Sequence, residues 1–396
     1  MLSPFRKNHI LWFFENWEEY PQSPLDKTLN LYLRKNSSIG SKDRLLISNT
    51  IYAIIKWKSL IDAYLTHQGT PISYPHRLDF WINHSLNDIR KAPFLKEHEK
   101  FGFPEDLFNQ LKQSLGAEKA IELCEVTQTR APIFVRTNLH KTTRESLFHG
   151  WKDRYQVSLC EESNSGILFH EKINFFTLPE FTKGLFEVQD EASQLVSNLV
   201  DVKPGDEVLD YCAGAGGKSL SFAPKMKGKG QIFLYDLRHH ALLAAKKRLK
   251  RCGVQNAQIV TEEKGLNRLK GRMDWVLLDV PCTGSGTWRR KPDQRWRYTT
   301  DMLQRLVQEQ RQIFEKGLQF LSPQGRIVYS TCSVLPEENE KQIEYFCQKF
   351  GCTLEGAPLT SFPQEGKMDG FFGATFSLAK IKENRDNAHH AKETHH

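Results

Sequence analysis

The chain has 396 residues; 55 basic and 47 acidic side chains give a net charge of +8, and 39% of residues are hydrophobic against 26% charged. That length supports two or three separately packed domains, and the balance of apolar and charged residues excludes a fibrous or low-complexity chain. No run of about 18 apolar residues is present and the apolar patch at the start is too short for a signal peptide, so a cytoplasmic protein with no membrane partner is expected.

The basic excess is modest and fits a polyanionic partner without requiring one. The eight cysteines form no C-x-x-C pair, so a zinc ribbon or redox motif is not supported and no metal site is expected. Reduced thiols in a cytosolic enzyme are the simplest reading.

In chain order, residues 1–127 read as helical, with apolar positions at helical spacing in Ile10–Tyr20, Leu25–Leu33, Arg44–Leu65 and Leu107–Leu123. Alternating apolar residues from Ile133 to Arg136 replace that period and open a small mixed α/β connector over 128–183. From 184 to 383 strands and helices alternate. Strands are expected at Glu207–Tyr211, Gln231–Tyr235, Ala257–Val260, Trp275–Asp279, Arg326–Ser330, Thr353–Pro358 and Ala374–Ile381. Helices are expected at Lys218–Ala223, Arg238–Cys252, Met302–Phe320 and Glu337–Lys349. This alternation implies an α/β fold whose mostly parallel sheet is covered on both faces. Residues 384–396 are polar, carry His389, His390, His395 and His396, and are expected to be disordered.

The first of these strands runs into Cys212-Ala213-Gly214-Ala215-Gly216-Gly217-Lys218, which opens a helix. It is not a Walker A, because Cys212 holds the leading glycine position, nor a G-x-G-x-x-G, because Ser219 holds the third. Asp236 ends the second strand about 20 positions on, where a carboxylate can accept two ribose hydroxyls. It could equally cap the helix that starts at Arg238. Turn and acid together favour a nucleoside cofactor, and the absence of both phosphate-binding patterns points to S-adenosylmethionine.

Two further strands end in cysteines: Asp279-Val280-Pro281-Cys282-Thr283-Gly284 and Ser330-Thr331-Cys332-Ser333. A strand-end cysteine can be a plain buried apolar residue. Here both sit at the carboxyl ends of predicted parallel strands, the edge where ligands bind. A thiolate is the reactive form, so either needs a local base or a depressed pKa. The residues alone do not say which thiol attacks. A basic-aromatic run follows Cys282, with Arg289, Arg290, Lys291 and Trp296 placed to grip phosphates and stack bases, unless it is only a solvated charge run.

The segments around Cys282 and around Cys332 through Asn339 resemble the paired motifs of RNA 5-methylcytosine methyltransferases, the RsmB/Fmu (Sun) and NSUN proteins. Val188–Gln194, Arg289–Asp293 with Trp296, and Asp369–Phe372 extend the resemblance over roughly 184–382. It implies a Rossmann-like S-adenosylmethionine-dependent methyltransferase sheet, and the bacterial branch places an all-α NusB-like RNA-binding domain in front. It further implies that Cys332 attacks C6 of cytosine, Cys282 assists release, and Asp279 faces the base. The turn 212–218 would hold the cofactor's amino-acid end, with Lys218 pairing either its carboxylate or Asp279. The chain departs from the family pattern in two places. Gly214 and Ala215 stand where relatives carry Ala-Pro, and Glu262 or Glu263 would have to replace an aspartate near the adenine. The expected partner is RNA, small-subunit rRNA first and tRNA second, bound by a monomer. A non-catalytic RNA-binding or ribosome-assembly factor is the alternative of a different class.

Overall fold

The computed structural model describes residues 2–18 and 23–378. The expected end of the first helix at Tyr20, strand residues 379–381 and the tail 384–396 lie outside the described residues.

The amino-terminal region is helical, from Pro4–Glu18 through Leu25–Lys35, Ser41–Lys56, Lys58–His67 and Tyr74–Asn83 to Glu105–Leu115 and Ala117–Val126. Apolar spacing explains the packing: Leu25, Leu29 and Leu33 form one buried stripe, and Ile47, Ile51, Ile54 and Ile55 another. Two expected helices are each broken in two. The run Leu107–Leu123 breaks at Gly116, whose φ of +82° only glycine adopts readily. The run Arg44–Leu65 breaks at Trp57, and the freed carbonyls of Ile55 and Lys56 are taken by Trp296 and Arg295, far along the chain.

A four-stranded antiparallel sheet follows, in the order β2-β3-β1-β4. Its strands are β1 (Ile133–Thr137), β2 (Val157–Leu159), β3 (Gly166–Phe169) and β4 (Phe186–Val188). Because β4 pairs with β1, this unit extends past the expected boundary at 183. Trp151, Phe169, Phe175 and Phe186 fill its core.

The larger sheet has seven strands: β5 (Glu207–Asp210), β6 (Gln231–Leu234), β7 (Ala257–Ile259), β8 (Met273–Asp279), β9 (Leu321–Thr331), β10 (Cys352–Ser361) and β11 (Phe371–Leu378). Their order is β10-β11-β9-β8-β5-β6-β7. Pairings from β9 across to β7 are parallel, while β11 is antiparallel to both β9 and β10. Central residues such as Leu277 and Leu278 are fully buried, each in a separate apolar cluster, as expected when both faces are covered. The chain steps outward from β5 in one direction and from β8 in the other. The crevice between the carboxyl ends of these two strands is therefore the topological switch point, where open α/β sheets bind ligands.

Candidate active site

Strand β5 ends at Asp210, and the turn 212–218 leads into the helical turn Ser219–Phe222. Gly214 and Gly216 have φ of +52° and +73°, so the turn needs glycine at both. A side chain on Gly216 would press on Ala245 and Leu234 at 3.2 and 3.3 Å, so the turn lies hard against the helix His239–Cys252. Above it opens a cavity of about 290 Å³ lined by Cys212, Ala213, Gly214, Ala215, Gly217, Lys218 and Asp279. The same walls include Asp210, Gln189 and Ser193, the last two from the motif segment Val188–Gln194, and Arg238 and Arg248, which no motif singles out. Gly216 faces inward instead. Glu262 and Glu263 are exposed beyond β7 and do not line the cavity.

Asp236 sits at the end of β6 as expected, and its carboxylate is already engaged. It accepts from the Gly214 N–H at 2.8 Å, and from the Arg238 N–H, Nε and Nη2 at 2.8, 3.0 and 2.9 Å. Burial works against its ionisation, but these bonds hold it below the usual carboxylate range. Cofactor hydroxyls could reach it once the guanidinium of Arg238, 66% exposed, swings aside.

Asp210 is fully buried, accepts from Ser219 Oγ at 2.6 Å through Oδ2, and leaves Oδ1 without a partner. Burial pushes its carboxyl up to about 7. An orphan buried carboxylate oxygen at the wall of a glycine-lined cavity fits a cationic ligand such as S-adenosylmethionine.

Beside the cavity, Cys282 follows β8 and Cys332 follows β9, with both sulfurs free and 3.4 Å apart. The pair is unequal. The hydrogen bond shared by the two sulfurs, with help from Lys218 and Lys291, lowers the Cys332 thiol from its ordinary range despite burial and the charge of Asp279. The same bond, together with burial, pushes the Cys282 thiol well up. Lys218 Nζ meets Asp279 Oδ2 at 2.5 Å, and Ser330 Oγ donates to Asp279 Oδ1 at 3.2 Å. Lys218 and Asp279 both line the cavity.

Much of the basic-aromatic run is tied into the protein: Arg289 is buried, Arg290 and Trp296 are half-buried, and Lys291 is exposed. Arg289 is buried: its Nε meets Asp369 at 2.5 Å, with both side chains 1% exposed, and its Nη atoms bond the carbonyls of Gln364 and Lys367. Arg290 pairs with Asp369 and Asp190. Trp296 Nε1 donates to Ile55 O at 2.9 Å, and Lys58 lies 4.8 Å above its ring. Trp288 joins Leu107, Leu123 and Leu335 in one apolar cluster, so helical and sheet domains share a core there. The segment is a clasp between domains, its counter-charges coming from residues distant in sequence. Lys291 alone of the four expected RNA contacts is exposed, and it adds positive charge near Cys332.

Residues 197–377 match the family described as 16S rRNA methyltransferase RsmB/F. A ribosomal RNA small subunit methyltransferase B of Enterobacter sp. is 30% identical over 341 residues, which are 78% of this chain and 76% of the relative. A probable ribosomal RNA small subunit methyltransferase B of Synechocystis sp. is 29% identical over 303 residues, 71% of this chain and 68% of that protein. The solved structure of PH0851 shares the fold, with a TM-score of 0.81, 23% identity, and coverage of 95% of this chain and 99% of that one. The methyl donor of this family is S-adenosylmethionine. The chain belongs to the RsmB/F methyltransferase family.

Proposed function

We propose that this protein methylates C5 of a cytosine in RNA, with small-subunit rRNA as substrate. The observation that carries this reading is the unequal thiol pair beside the cofactor cavity. C5 of cytosine is a weak nucleophile, and methyl transfer from a sulfonium alone gives no reason for two apposed sulfurs. A thiolate adding to C6 does: it turns the C5–C6 double bond into an enamine whose electron density lies at C5.

Cys332 is assigned as the attacking group by the resemblance of its motif, and the charges of Lys218 and Lys291 favour its thiolate. Its sulfur forms a bond to C6 as the π electrons move to C5. S-adenosylmethionine supplies the methyl group to that carbon. Water, acting as base, takes the C5 proton, whose bonding pair returns to the ring as the C6–S bond breaks with its electrons leaving on Cys332. Cys282 stays protonated, 3.4 Å away, and can return a proton to the departing sulfur. Asp279, fixed by Lys218 and Ser330, is positioned to meet the exocyclic amine or N3 of the base. A target base must leave its stack to reach these groups, which is less costly in loop or single-stranded RNA. The names of the relatives support rRNA, and the helical domain with exposed Lys291 supplies a surface for it.

Purified protein, labelled S-adenosylmethionine and small-subunit rRNA provide the test, read by nucleoside mass spectrometry after digestion. The expected product is 5-methylcytidine. Methylation on another nucleoside, or none on RNA, would overturn the reading.

A further inference from the structure

The mechanism leaves unused a buried carboxylate close to the thiols. Glu338 is fully buried on the short turn Pro336–Glu338, and every hydrogen-bond donor it meets is neutral. Its Oε1 accepts from the Thr283 N–H at 2.9 Å and from Gln310 Nε2 at 3.0 Å, and its Oε2 accepts from the Thr283 hydroxyl at 2.5 Å. Gln310 also bonds the Pro281 carbonyl at 2.9 Å. The residues on both sides of Cys282 are thus tied to one carboxylate. Asn339, the next residue, grips the other loop. It accepts from the Thr331 hydroxyl at 2.7 Å and donates to the Ser333 carbonyl at 2.9 Å, bracketing Cys332. Tyr329 on β9 anchors the turn, its hydroxyl donating to the Glu338 carbonyl at 2.7 Å.

Two adjacent residues therefore hold two loops that are 50 positions apart in sequence. A buried carboxylate without a cation is costly to keep, so its retention calls for something that a neutral side chain would not supply. We propose that Glu338 and Asn339 are positioning residues: together they clamp the two cysteine loops at sulfur contact, with the Glu338 carboxyl seated against the Cys282 loop. The charged groups that act on the pair are Glu338 on the turn, Asp279 on β8, Lys218 from the cofactor turn, and Lys291 beyond Cys282. Lys218 and Lys291 favour the Cys332 thiolate, while Glu338 disfavours a thiolate at Cys282.

This inference deepens the reading of the thiols as an unequal catalytic pair, and its test needs neither RNA nor turnover. The full chain is alkylated with iodoacetamide across about pH 6–10, and Cys282 and Cys332 are followed separately by peptide mass spectrometry. In the unaltered protein Cys332 reacts with a lower pH midpoint than Cys282. Glu338→Gln keeps the shape and removes the charge, and should lower the Cys282 midpoint by about one unit, a tenfold gain in thiolate at fixed pH. If the variant only loosened the loops, the Cys282 midpoint would fall and the Cys332 midpoint would rise as the sulfur contact is lost, whereas loss of the charge alone lowers the Cys282 midpoint and leaves that of Cys332 in place.

Thr283→Val, which leaves the carboxylate in place, is the second variant should Glu338→Gln fold poorly. Loosening the Cys282 loop should raise the Cys332 midpoint, because the bond between the sulfurs is lost. Unmoved midpoints in a folded Glu338→Gln protein, or in Thr283→Val where Glu338→Gln does not fold, overturn the clamp. Shifted midpoints in a protein that makes no 5-methylcytidine would overturn the methylation reading and leave the clamp standing.

Discussion

Lys218 and Asp279 form an ion pair of 2.5 Å across the switch point, joining the cofactor turn after β5 to the end of β8. Both charges also act on Cys332, in opposite directions: Lys218 favours its thiolate and Asp279 disfavours it. Removing each in turn should therefore move the same thiol in opposite senses. Lys218→Met should raise the pH midpoint for alkylation of Cys332, and Asp279→Asn should lower it. Peptide-resolved alkylation checks both, and a shift of the same sign in the two variants would show that the pair acts only by holding shape.

The roles of the two thiols separate in a simpler experiment. Cys332→Ala should abolish methylation, with a loss of at least about a thousandfold, while binding of S-adenosylmethionine measured by calorimetry stays within a few-fold of the unaltered protein. Cys282→Ala should form a protein–RNA adduct that survives a denaturing gel, because the partner that assists release is gone. The double variant should form none. An adduct in the double variant would mean that another group attacks the base.

How much of this site the chain discloses before folding depends on how local each signal is. The glycine turn, Asp236 and the cysteine loops are short contiguous motifs next to strand ends, and each stands where strand periodicity places it. Gln189 and Ser193 lie in the motif segment Val188–Gln194, but that they reach the cavity, like Arg248 from the helix His239–Cys252, is decided by tertiary packing. Arg238 lay in view next to Asp236, but an arginine flanking a carboxylate gives no sign that it will occupy it. The run from Trp288 to Trp296 misleads for the same reason. Nothing local shows that Asp369 neutralises Arg289, or that the carbonyls of Ile55 and Lys56 wait for Trp296 and Arg295.

Asp210 predicts a pH dependence of stability. Its folded-state pKa of about 7 lies above its unfolded value near 4, so the folded protein holds a proton that the unfolded chain releases between those limits. Stability contributed by this group is therefore fully present below about pH 4 and is lost as pH rises to about 7. Asp210→Asn should abolish that loss. Without cofactor, the variant should gain on the unaltered protein between about pH 4 and 7 and hold a constant advantage above, at most about 4 kcal/mol. Denaturant melts at several pH values check this, and an advantage that does not grow with pH would rule out a protonated Asp210.

The clasp and the RNA surface can be told apart at neighbouring positions. Arg289 and Asp369 are each 1% exposed and share a bond of 2.5 Å, so Arg289→Ala leaves Asp369 buried with only Arg290 against it. Breaking a buried pair from one side typically costs about 3–5 kcal/mol, and Arg290 should hold the loss toward the lower figure. Lys291, exposed and two positions on, supports no such structure. Lys291→Ala should leave the denaturant midpoint unchanged and weaken RNA binding, with a shallower dependence of affinity on salt as one phosphate contact is lost. The two variants should thus split cleanly, Arg289→Ala in the unfolding curve and Lys291→Ala in the salt titration. If Arg289→Ala melted normally and lost RNA affinity instead, the guanidinium would have to leave its buried site to meet phosphate, and the clasp would be wrong.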